Sequence, residues 1–310
     1  MTLVDNRNTS NPYLNLAIEE FLIRHANCSE LDYLLLYINQ PCIVLGKNQS
    51  IYKEVNFEFL RNKKLQLCRR ISGGGTVYQD KGNLSFSFIS KFSEQKINNY
   101  KLFNQPVVDA LMKIGVNAEM DERNNILCNA RLNDEVGQGK KISGNAQFTN
   151  RTNIISHGTL LFDADLDVLR SCLKENNFKV ESKAVSSVRS SVMNIKEVTG
   201  QVSSTEALKD YLHKELKAEK LLQFTEEEWN TIQKSAADKF KSFEWVYGRS
   251  PVTKIVKGEI EIEVEEGIIT EIRNQKSEIR NLIGTRYEFN AIKKALENVP
   301  NASELLAALF

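Results

Sequence analysis

Residues 69–80 read RRISGGGTVYQD. The glycine triplet at 73–75 follows a pair of arginines and precedes a short run of β-branched and aromatic residues. Three consecutive glycines permit positive φ and let a ligand approach the backbone, whose successive N–H groups can hold an anion. Arg69 or Arg70 would add a bidentate charge to the same ligand. The alternative is a plain turn that leads into a hairpin. The segment is neither a dinucleotide fingerprint nor a P-loop, because G-x-G-x-x-G and Gly-Lys-Ser/Thr are both missing.

The segments around the triplet alternate between strand-like and helix-like patterns. Residues 76–78 and 84–89 flank Asp80-Lys81-Gly82-Asn83, and we expect them to form a hairpin whose second strand is half buried. Periodicity of 3.6 predicts a helix, and short β-branched or aromatic runs predict strands. On this basis we expect helices at 13–25, 101–114 and 165–173, and strands at 34–38, 42–45 and 154–162. The mixture indicates an α+β or α/β class.

The last third of the chain differs from the rest in composition and hydrophobic pattern. Residues 204–242 are rich in Lys, Glu, Ala and Leu and are expected to be helical, and the aromatic segment 243–251 is typical of a docked linker. Alternation at 260–264 and a second run at 268–272 predict two strands, and helical spacing follows at 292–296 and 303–309. We therefore expect two domains, a large one at 1–246 and a small one at 247–310, which leans on the large one.

Composition excludes several classes of protein. The 41 Lys and Arg residues balance the 40 Asp and Glu residues to leave +1, so no bulk field would gather nucleic acid or an anionic membrane. No apolar run approaches the ~18 residues of a membrane span, and the first residues lack a signal-peptide pattern. The five cysteines show no CxxC spacing, and the three histidines are scattered, which argues against a disulfide framework or a metal site. We expect a cytoplasmic protein with no nucleic-acid or membrane partner.

A second informative segment, residues 137–147, reads GQGKKISGNAQ. Gly139-Lys140 resembles the end of a P-loop, but Lys141 stands where Ser or Thr is required. Strand alternation sends Lys140 and Lys141 to opposite faces, so that one of them turns inward. An inward ammonium needs an anionic partner, for which a bound phosphate or carboxylate would serve.

Together these segments resemble the lipoate-protein ligase family. The resemblance lies in several ordered motifs spread over nearly the whole chain. They are PYLNLAIEE at 12–20, RRISGGGTVY at 69–78 followed by Asp80, Gly82 and Asn83, KISGNA at 141–146, HGTLL at 157–161, SVRS at 187–190 and the joint at 244–251.

The resemblance implies an α+β fold, in which a large mixed-sheet catalytic domain of the biotin/lipoate ligase type carries a small α+β C-terminal domain. It implies that the carboxylate of lipoate or octanoate attacks the α-phosphate of Mg-ATP to give an acyl-adenylate and pyrophosphate. The adenylate then acylates a specific lysine of a lipoyl domain, on an E2 subunit of a 2-oxoacid dehydrogenase or on the glycine cleavage H protein. ATP and Mg²⁺ are the implied cofactors, and we expect a monomer.

The resemblance also assigns roles to residues. Lys141 is expected to be the catalytic cation that bridges the lipoyl carboxylate and the α-phosphate. Asn133 and Asp134 are expected to position adenosine or Mg²⁺, while phosphates and water hold most of the ion. The implied nucleotide and lipoyl-adenylate site consists of Arg70, Ser72, Gly73, Gly74, Gly75, Thr76, Val77, Tyr78, Asn83, Asn133, Asp134, Lys141 and His157.

Two residues depart from the family pattern. Gln79 stands where the family often has His, and Gln cannot titrate near neutral pH, so acid–base chemistry is not expected there. Ser191 stands where Arg commonly follows the SVRS motif.

Two other functions remain open. An ATP-independent octanoyl- or lipoyl-transferase would need an activated thiolate, for which Cys128 and Cys172 are the candidates. The second alternative is a non-catalytic acyl-carrier binding protein that keeps the scaffold.

Overall fold

The structure is a computed structural model that describes residues 1–28, 32–129, 131–132, 135–136, 139–173, 179–188, 190–273 and 277–310. Helices and strands are intermixed along this part of the chain, as the α+β prediction required. The strands are β1 (Thr2–Val4), β2 (Tyr33–Ile38), β3 (Cys42–Leu45), β4 (Gln66–Arg69), β5 (Val77–Gln79), β6 (Asn83–Lys91), β7 (Ala118–Met120), β8 (Ile126–Cys128), β9 (Arg131–Leu132), β10 (Glu135–Val136), β11 (Lys140–Ser143), β12 (Asn145–Thr149), β13 (Asn153–Leu161), β14 (Lys179–Ser182), β15 (Lys220–Leu222), β16 (Thr253–Lys257), β17 (Ile260–Glu265) and β18 (Ile268–Arg273).

The helices predicted at 13–25, 101–114 and 165–173 begin within one residue of observed helices, whereas those at 51–54, 57–63 and 243–246 were not predicted. Asn11 caps the first one by accepting a hydrogen bond from the Tyr13 N–H, and Pro12 occupies the first turn, where its missing N–H costs nothing. The helices are α1 (Pro12–His25), α2 (Ile51–Glu54), α3 (Phe57–Lys63), α4 (Tyr100–Lys113), α5 (Leu166–Cys172), α6 (Thr205–Glu215), α7 (Glu226–Ser235), α8 (Phe243–Val246), α9 (Phe289–Ala295) and α10 (Ala302–Leu309), with 3-10 turns at Glu94–Lys96, Ile195–Glu197 and Ser277–Leu282 and a π turn at Ala236–Phe240. No helix in the described ranges is both long and apolar enough to cross a bilayer.

A six-stranded mixed sheet forms the centre of the molecule. Its strand order is β12-β13-β6-β2-β1-β15, with parallel pairing of β1 to β2 and β15 and antiparallel pairing elsewhere. Leu35 and Tyr37 of β2 pack on the α1 side, whereas Leu34 and Leu36 pack on the side of α4 and α6. Because both faces of the sheet are covered, its central strands are buried throughout.

The expected hairpin of residues 76–78 and 84–89 is wrong. β5 pairs with β3 in a separate sheet of order β4-β3-β5, while β6 lies between β2 and β13. The second strand is also not half buried, since Ser85 and Ser87 are as inaccessible as Phe86. A strand that is buried on both faces gains most from partners on both edges, so β6 pairs with two neighbours rather than with β5.

The expected helix over residues 204–242 is interrupted. α6 begins after Ser204, whose side chain accepts from the Ala207 N–H, but the chain turns at Lys217, whose φ is +51°. β15 then pairs in parallel with β1 and covers that edge of the central sheet before α7 begins. Pairing with the otherwise unpaired N–H and C=O groups of β1 outweighs the helical propensity of this segment.

The C-terminal unit is an antiparallel sheet of order β14-β16-β17-β18 with α9 and α10 packed on it. Its apolar face, including Ile255 and Ile262, shares a core with Ile43 and Leu45 of β3, as expected for a unit too small to stand alone. β14 comes from the chain before the predicted boundary at 246/247, which itself stays a prediction.

Candidate active site

Two adjoining cavities open between the glycine triplet, β11 and β13. The larger one has a volume of about 550 Å³ and the smaller one about 320 Å³, within the range of small-molecule sites. The residues that line both cavities, and so form their common wall, are Thr76, Val77, Lys141, Gly144, Thr159, Ser186, Ser187, Val188 and Ser190.

Lys141 lies on this common wall. A register shift in β11 between Lys141 and Ser143 turns the strand, and the ammonium lies over Gly144, 3.1 Å from where a Cβ would stand. The Lys141 backbone donates to the Ser191 carbonyl at 2.9 Å and accepts from the Met193 N–H at 3.2 Å, which fixes the strand from its other edge. Burial lowers the pKa of the ammonium, and nearby Arg70 lowers it further, while Asp121 opposes them.

The ammonium of Lys141 has no hydrogen-bond or ion-pair partner in the described part of the chain. A half-buried cation without a counter-ion favours an anion in the space beside it. Ser191 meets Lys141 only through its carbonyl oxygen, so any residue type would supply this contact.

Arg70 holds the glycine triplet in shape. Its guanidinium donates to the Gly75 carbonyl at 2.8 Å, the Gly73 carbonyl at 2.5 Å and the Val44 carbonyl at 3.2 Å. Gly74 has a φ of +86°, and a Cβ there would meet the guanidinium at 2.9 Å, so only glycine fits. Burial lowers the pKa of Arg70 to about 10, which still leaves it charged at neutral pH.

Arg69 lies outside the site, so of the two arginines that the sequence offered, only Arg70 lines a cavity. It is completely buried and donates to the carbonyls of Val246 at 2.7 Å, Gln49 at 2.7 Å and Gly46 at 2.9 Å. Arg69 and Arg70 have different surroundings because side chains alternate along a strand, so these two neighbours at the end of β4 point in opposite directions. Arg69 therefore joins the loop at residues 46–49 to the segment that leads into the C-terminal unit.

A buried polar network lies beneath the glycine triplet. Ser72 Oγ accepts from Arg70 Nε at 2.9 Å and joins His157 Nε2 at 2.7 Å, and His157 Nδ1 lies 3.0 Å from Glu19 Oε1. Burial alone would raise the pKa of Glu19, but the charge and hydrogen bonds of His157, with help from Ser87 and Tyr37, hold it below its ordinary value. The ring of His157 is thereby oriented on both sides, as expected of a structural histidine that also lines the smaller cavity.

Glu19 was not among the site residues expected from the sequence. The only feature that pointed to it is its position on α1, one helical turn after Asn15. Both side chains are completely buried. A polar pair at i and i+4 on a buried face marks a network, yet the sequence does not show what faces it.

Residues 186–188 line both cavities. The sequence showed the motif at 187–190 but gave it no role in the site. Ser187 Oγ donates to the Glu54 carboxylate and accepts from the Thr76 N–H at 2.8 Å and from Gln49 Nε2 at 3.0 Å. The Ser187 N–H donates to Glu54 Oε1 at 3.1 Å. These contacts attach the segment to the glycine triplet and to α2.

The remaining expected residues fall into three groups. Tyr78 lines the larger cavity, and Gly74 and Gly75 line the smaller one with Arg70 and His157. Ser72, Gly73 and Asn83 line neither cavity, and both polar side-chain atoms of Asn83 are buried without a partner in the described residues. Asn133 and Asp134 lie outside the described residues. The roles of all these residues stay predictions.

Cysteines take no part in either cavity. Cys128 and Cys172 are buried, and burial raises the pKa of both thiols, to about 12 for Cys172. A thiol that stays protonated at neutral pH is a poor nucleophile.

Comparison with known proteins agrees with this geometry. Residues 11–217 match the lipoyl protein ligase A/B catalytic domain family. The lipoate-protein ligase LplJ of Bacillus subtilis is 38% identical, over 96% of this chain and 94% of the relative. Lipoate-protein ligase 1 of Staphylococcus aureus is 37% identical, over 96% of this chain and 93% of the relative.

Solved structures show the same fold. The Thermoplasma acidophilum bipartite lipoate protein ligase, described with its E2 lipoyl domain, has a TM-score of 0.66 at 22% identity over 80% of this chain and 96% of that chain. A putative lipoate protein ligase of the same organism with bound lipoic acid (22% identity) and a lipoate-protein ligase A bound with ATP (24% identity) each have a TM-score of 0.63, over 77% of this chain and 95% of theirs. The expected ligase fold, with its large mixed sheet and smaller C-terminal unit, is confirmed. From its matched catalytic domain and its near full-length relatives, this chain belongs to the lipoate-protein ligase family.

Proposed function

We propose that this protein activates lipoate with ATP to lipoyl-adenylate and transfers the lipoyl group to a specific lysine of a lipoyl domain. The observation that carries the proposal is the ammonium of Lys141, which lies on the wall between two cavities and has no partner among the described residues. A carboxylate and an α-phosphate repel one another, and a cation between them offsets the repulsion. The named relatives are lipoate-protein ligases at 37–38% identity, which supports the same reaction.

The acyl chain is assigned to the smaller cavity. Leu16, Val44 and Ala146 give that cavity apolar walls, and burial of a chain there contributes about 0.8 kcal/mol for each CH₂. The solved relative that contains lipoic acid supports this class of ligand.

The nucleotide is assigned to the larger cavity. Lys53, Arg170 and Lys179 line it beside apolar side chains such as Leu161 and Leu169, which suits a base and ribose at one side and polyphosphate near the cations. The solved relative with bound ATP supports this class of ligand.

In the first step a carboxylate oxygen of lipoate attacks the α-phosphorus of ATP. The new O–P bond forms as the bond to the β-phosphate oxygen breaks, and pyrophosphate leaves with the electron pair. Lys141 stabilises the charge on both reacting groups, and the backbone of Gly74 and Gly75, held by Arg70, binds the acyl phosphate. In the second step the ε-amine of the acceptor lysine attacks the acyl carbonyl, AMP leaves, and the new amide loses a proton.

The other expected site residues keep supporting roles in this proposal. Ser72 and His157 hold Arg70 and the triplet from below, while Thr76, Val77 and Tyr78 line the nucleotide side. Asn133 and Asp134 are proposed to position the adenosine moiety or Mg²⁺. Asn83 lines neither cavity, so it is proposed to support the site without touching the nucleotide.

Mg²⁺ is proposed to enter with the nucleotide. The described residues contain no group of three or more His, Cys, Asp or Glu side chains that could hold a metal ion. Mg²⁺ usually keeps most of its ligands from phosphate and water, so it needs no such group of protein ligands. Bound in this way, the ion neutralises polyphosphate charge and makes pyrophosphate a better leaving group.

The proposed acceptors are lipoyl domains of E2 subunits and the glycine cleavage H protein, with octanoate as a second acid substrate. The solved archaeal relative is described together with an E2 lipoyl domain, which supports this class of partner. We also propose that the protein acts as a monomer in the cytoplasm.

Lipoate-dependent exchange of pyrophosphate into ATP tests the proposal. We expect exchange with the full-length chain, Mg²⁺, ATP and lipoate, and transfer of lipoate to an apo lipoyl domain when one is added. A thioester transferase or a binding protein gives no exchange. Absence of exchange would therefore remove the proposed activity.

A further inference from the structure

Gln79 lines the smaller cavity but not the larger one. The Thr159 N–H donates to the Gly144 carbonyl, Thr159 pairs with Ser85, and Ser85 pairs with Tyr37. These three strand-to-strand steps place Tyr37 about 14 Å from Gly144. Tyr37 and Gln79 both line the cavity, so the tail of an acid held at Lys141 extends toward them.

A chain of side-chain amides orients Gln79. The Thr9 carbonyl accepts from Asn6 Nδ2 and from Asn15 Nδ2, each at 3.1 Å, and a carbonyl can only accept. Asn15 Nδ2 also donates to Asn39 Oδ1 at 2.7 Å, and Asn39 Nδ2 donates to Gln79 Oε1 at 2.6 Å. The Thr9 carbonyl thus fixes which way the Asn15 amide points, and this in turn fixes the amides of Asn39 and Gln79. The Gln79 oxygen therefore accepts from Asn39.

The Gln79 amide nitrogen is left to face the cavity. Gln79 is only 5% exposed, and Nε2 has no acceptor in the part of the chain that the structure describes. Glu19 Oε1, on the same cavity, already accepts from Tyr37 and Ser87 and lies against His157. Once a ligand tail displaces water from this part of the cavity, an N–H donor left without an acceptor is costly, so an acceptor atom on the tail stabilises the complex.

We propose that Gln79 is a specificity-determining residue that selects acids whose tail carries weak acceptor atoms, as the dithiolane sulfurs of lipoate do. Sulfur accepts weak hydrogen bonds, whereas the methyl end of octanoate leaves the Gln79 N–H unpaired. The inference rests on the proposed acid-activating function, which it deepens by naming the feature of the acid that is recognised.

The test compares lipoate with 5-cyclopentylpentanoate, which has a five-membered ring and no sulfur. The measured quantity is kcat/KM for pyrophosphate release with ATP and each acid. We expect the unaltered protein to prefer lipoate about tenfold and Gln79→Met, which keeps the size but removes the donor, to prefer it only about twofold. Gln79→Glu keeps the acceptor for Asn39 and, at a pH high enough to ionise its carboxyl group, also removes the donor. It should show the same loss there and replaces Gln79→Met if that variant does not fold.

Val44→Ala is the matched control, because Val44 lines the same cavity with apolar atoms only. It should lower kcat/KM for both acids and keep the tenfold preference. An unaltered protein that uses the two acids equally well overturns the inference, as does a folded Gln79 variant that keeps the full preference. If neither acid supports pyrophosphate release, the proposed function itself fails.

Discussion

Arg69 and Arg70 are adjacent in sequence, yet their guanidinium groups bind different parts of the molecule. Arg69 donates to the Val246 carbonyl at 2.7 Å, and Arg70 donates to the Gly75 carbonyl at 2.8 Å. The end of one strand therefore connects the candidate site to the joint before the C-terminal unit. Both groups are buried, so neither contact is open to competition from bulk water.

Arg69→Leu is expected to destabilise the protein by more than about 3 kcal/mol, because it leaves the buried carbonyls of Gly46, Gln49 and Val246 without their donor. Urea denaturation measures the free energy of unfolding. Arg249→Leu is the control, since Arg249 is exposed and should change stability by less than about 0.5 kcal/mol. Equal effects of the two substitutions would contradict a structural role for Arg69.

Lys141→Ala should reduce the rate of lipoate-dependent pyrophosphate exchange by about 10²–10³, by analogy with removal of one oxyanion donor. Lys140→Ala removes the neighbouring charge, which lines neither cavity, and should leave exchange within about twofold. Retained activity in Lys141→Ala would exclude this residue from the mechanism.

The rate of adenylation should fall on the alkaline side at a pH below the ordinary lysine pKa of 10.5. Burial lowers the pKa of Lys141, and only its protonated form offsets the repulsion between the two anions, so activity is lost as pH rises through the lowered value. A pH profile of kcat/KM for pyrophosphate release measures this. Lys141→Arg, which stays protonated, should lack this alkaline loss even if its rate is low, and an unchanged profile would assign the loss to another group.

Glu19→Gln should destabilise the protein by about 3–5 kcal/mol at neutral pH, because it breaks a buried pair with His157. The pKa of Glu19 is lowered in the folded state, so its contribution is fully present above the unfolded value of 4.5 and is lost as pH falls through the folded value. Unfolding free energies measured from pH 7 down to pH 3 should therefore differ less between the two proteins as the pH falls below 4.5. A constant difference over that range would show that ionisation of Glu19 does not matter.

Gly74→Ala should cost about 1–3 kcal/mol of stability, since alanine is strained at a φ of +86° and its Cβ would meet the Arg70 guanidinium at 2.9 Å. Gly73→Ala is the matched comparison within the same triplet, because a Cβ there meets nothing within 4 Å. Thermal unfolding of both variants gives the contrast. The conformation assigned to Gly74 is wrong if both alanines are equally tolerated.

The secondary structure near the motifs followed from local pattern. The helix at 12–25 and the strands at 42–45 and 260–265 agree closely with the periodicity, because the side chains that alternate there are those that become buried. Strand partners did not follow in the same way. Residues 77–79 and 83–91 are close in sequence but enter different sheets, since pairing depends on which edges the rest of the chain leaves open.

The sequence alone determined the family, the mixed α and β content, and the candidates Lys141 and Arg70. The charge of lysine and arginine and the backbone freedom of glycine belong to the residue types themselves, so they can be identified before the fold is known. Only the tertiary structure decided that Arg69 leaves the site, that Glu19 supports His157, and that a relay of amides turns the Gln79 nitrogen toward the smaller cavity. Those relations join residues far apart in the chain, and the side to which a buried polar group turns depends on partners that only folding brings within reach.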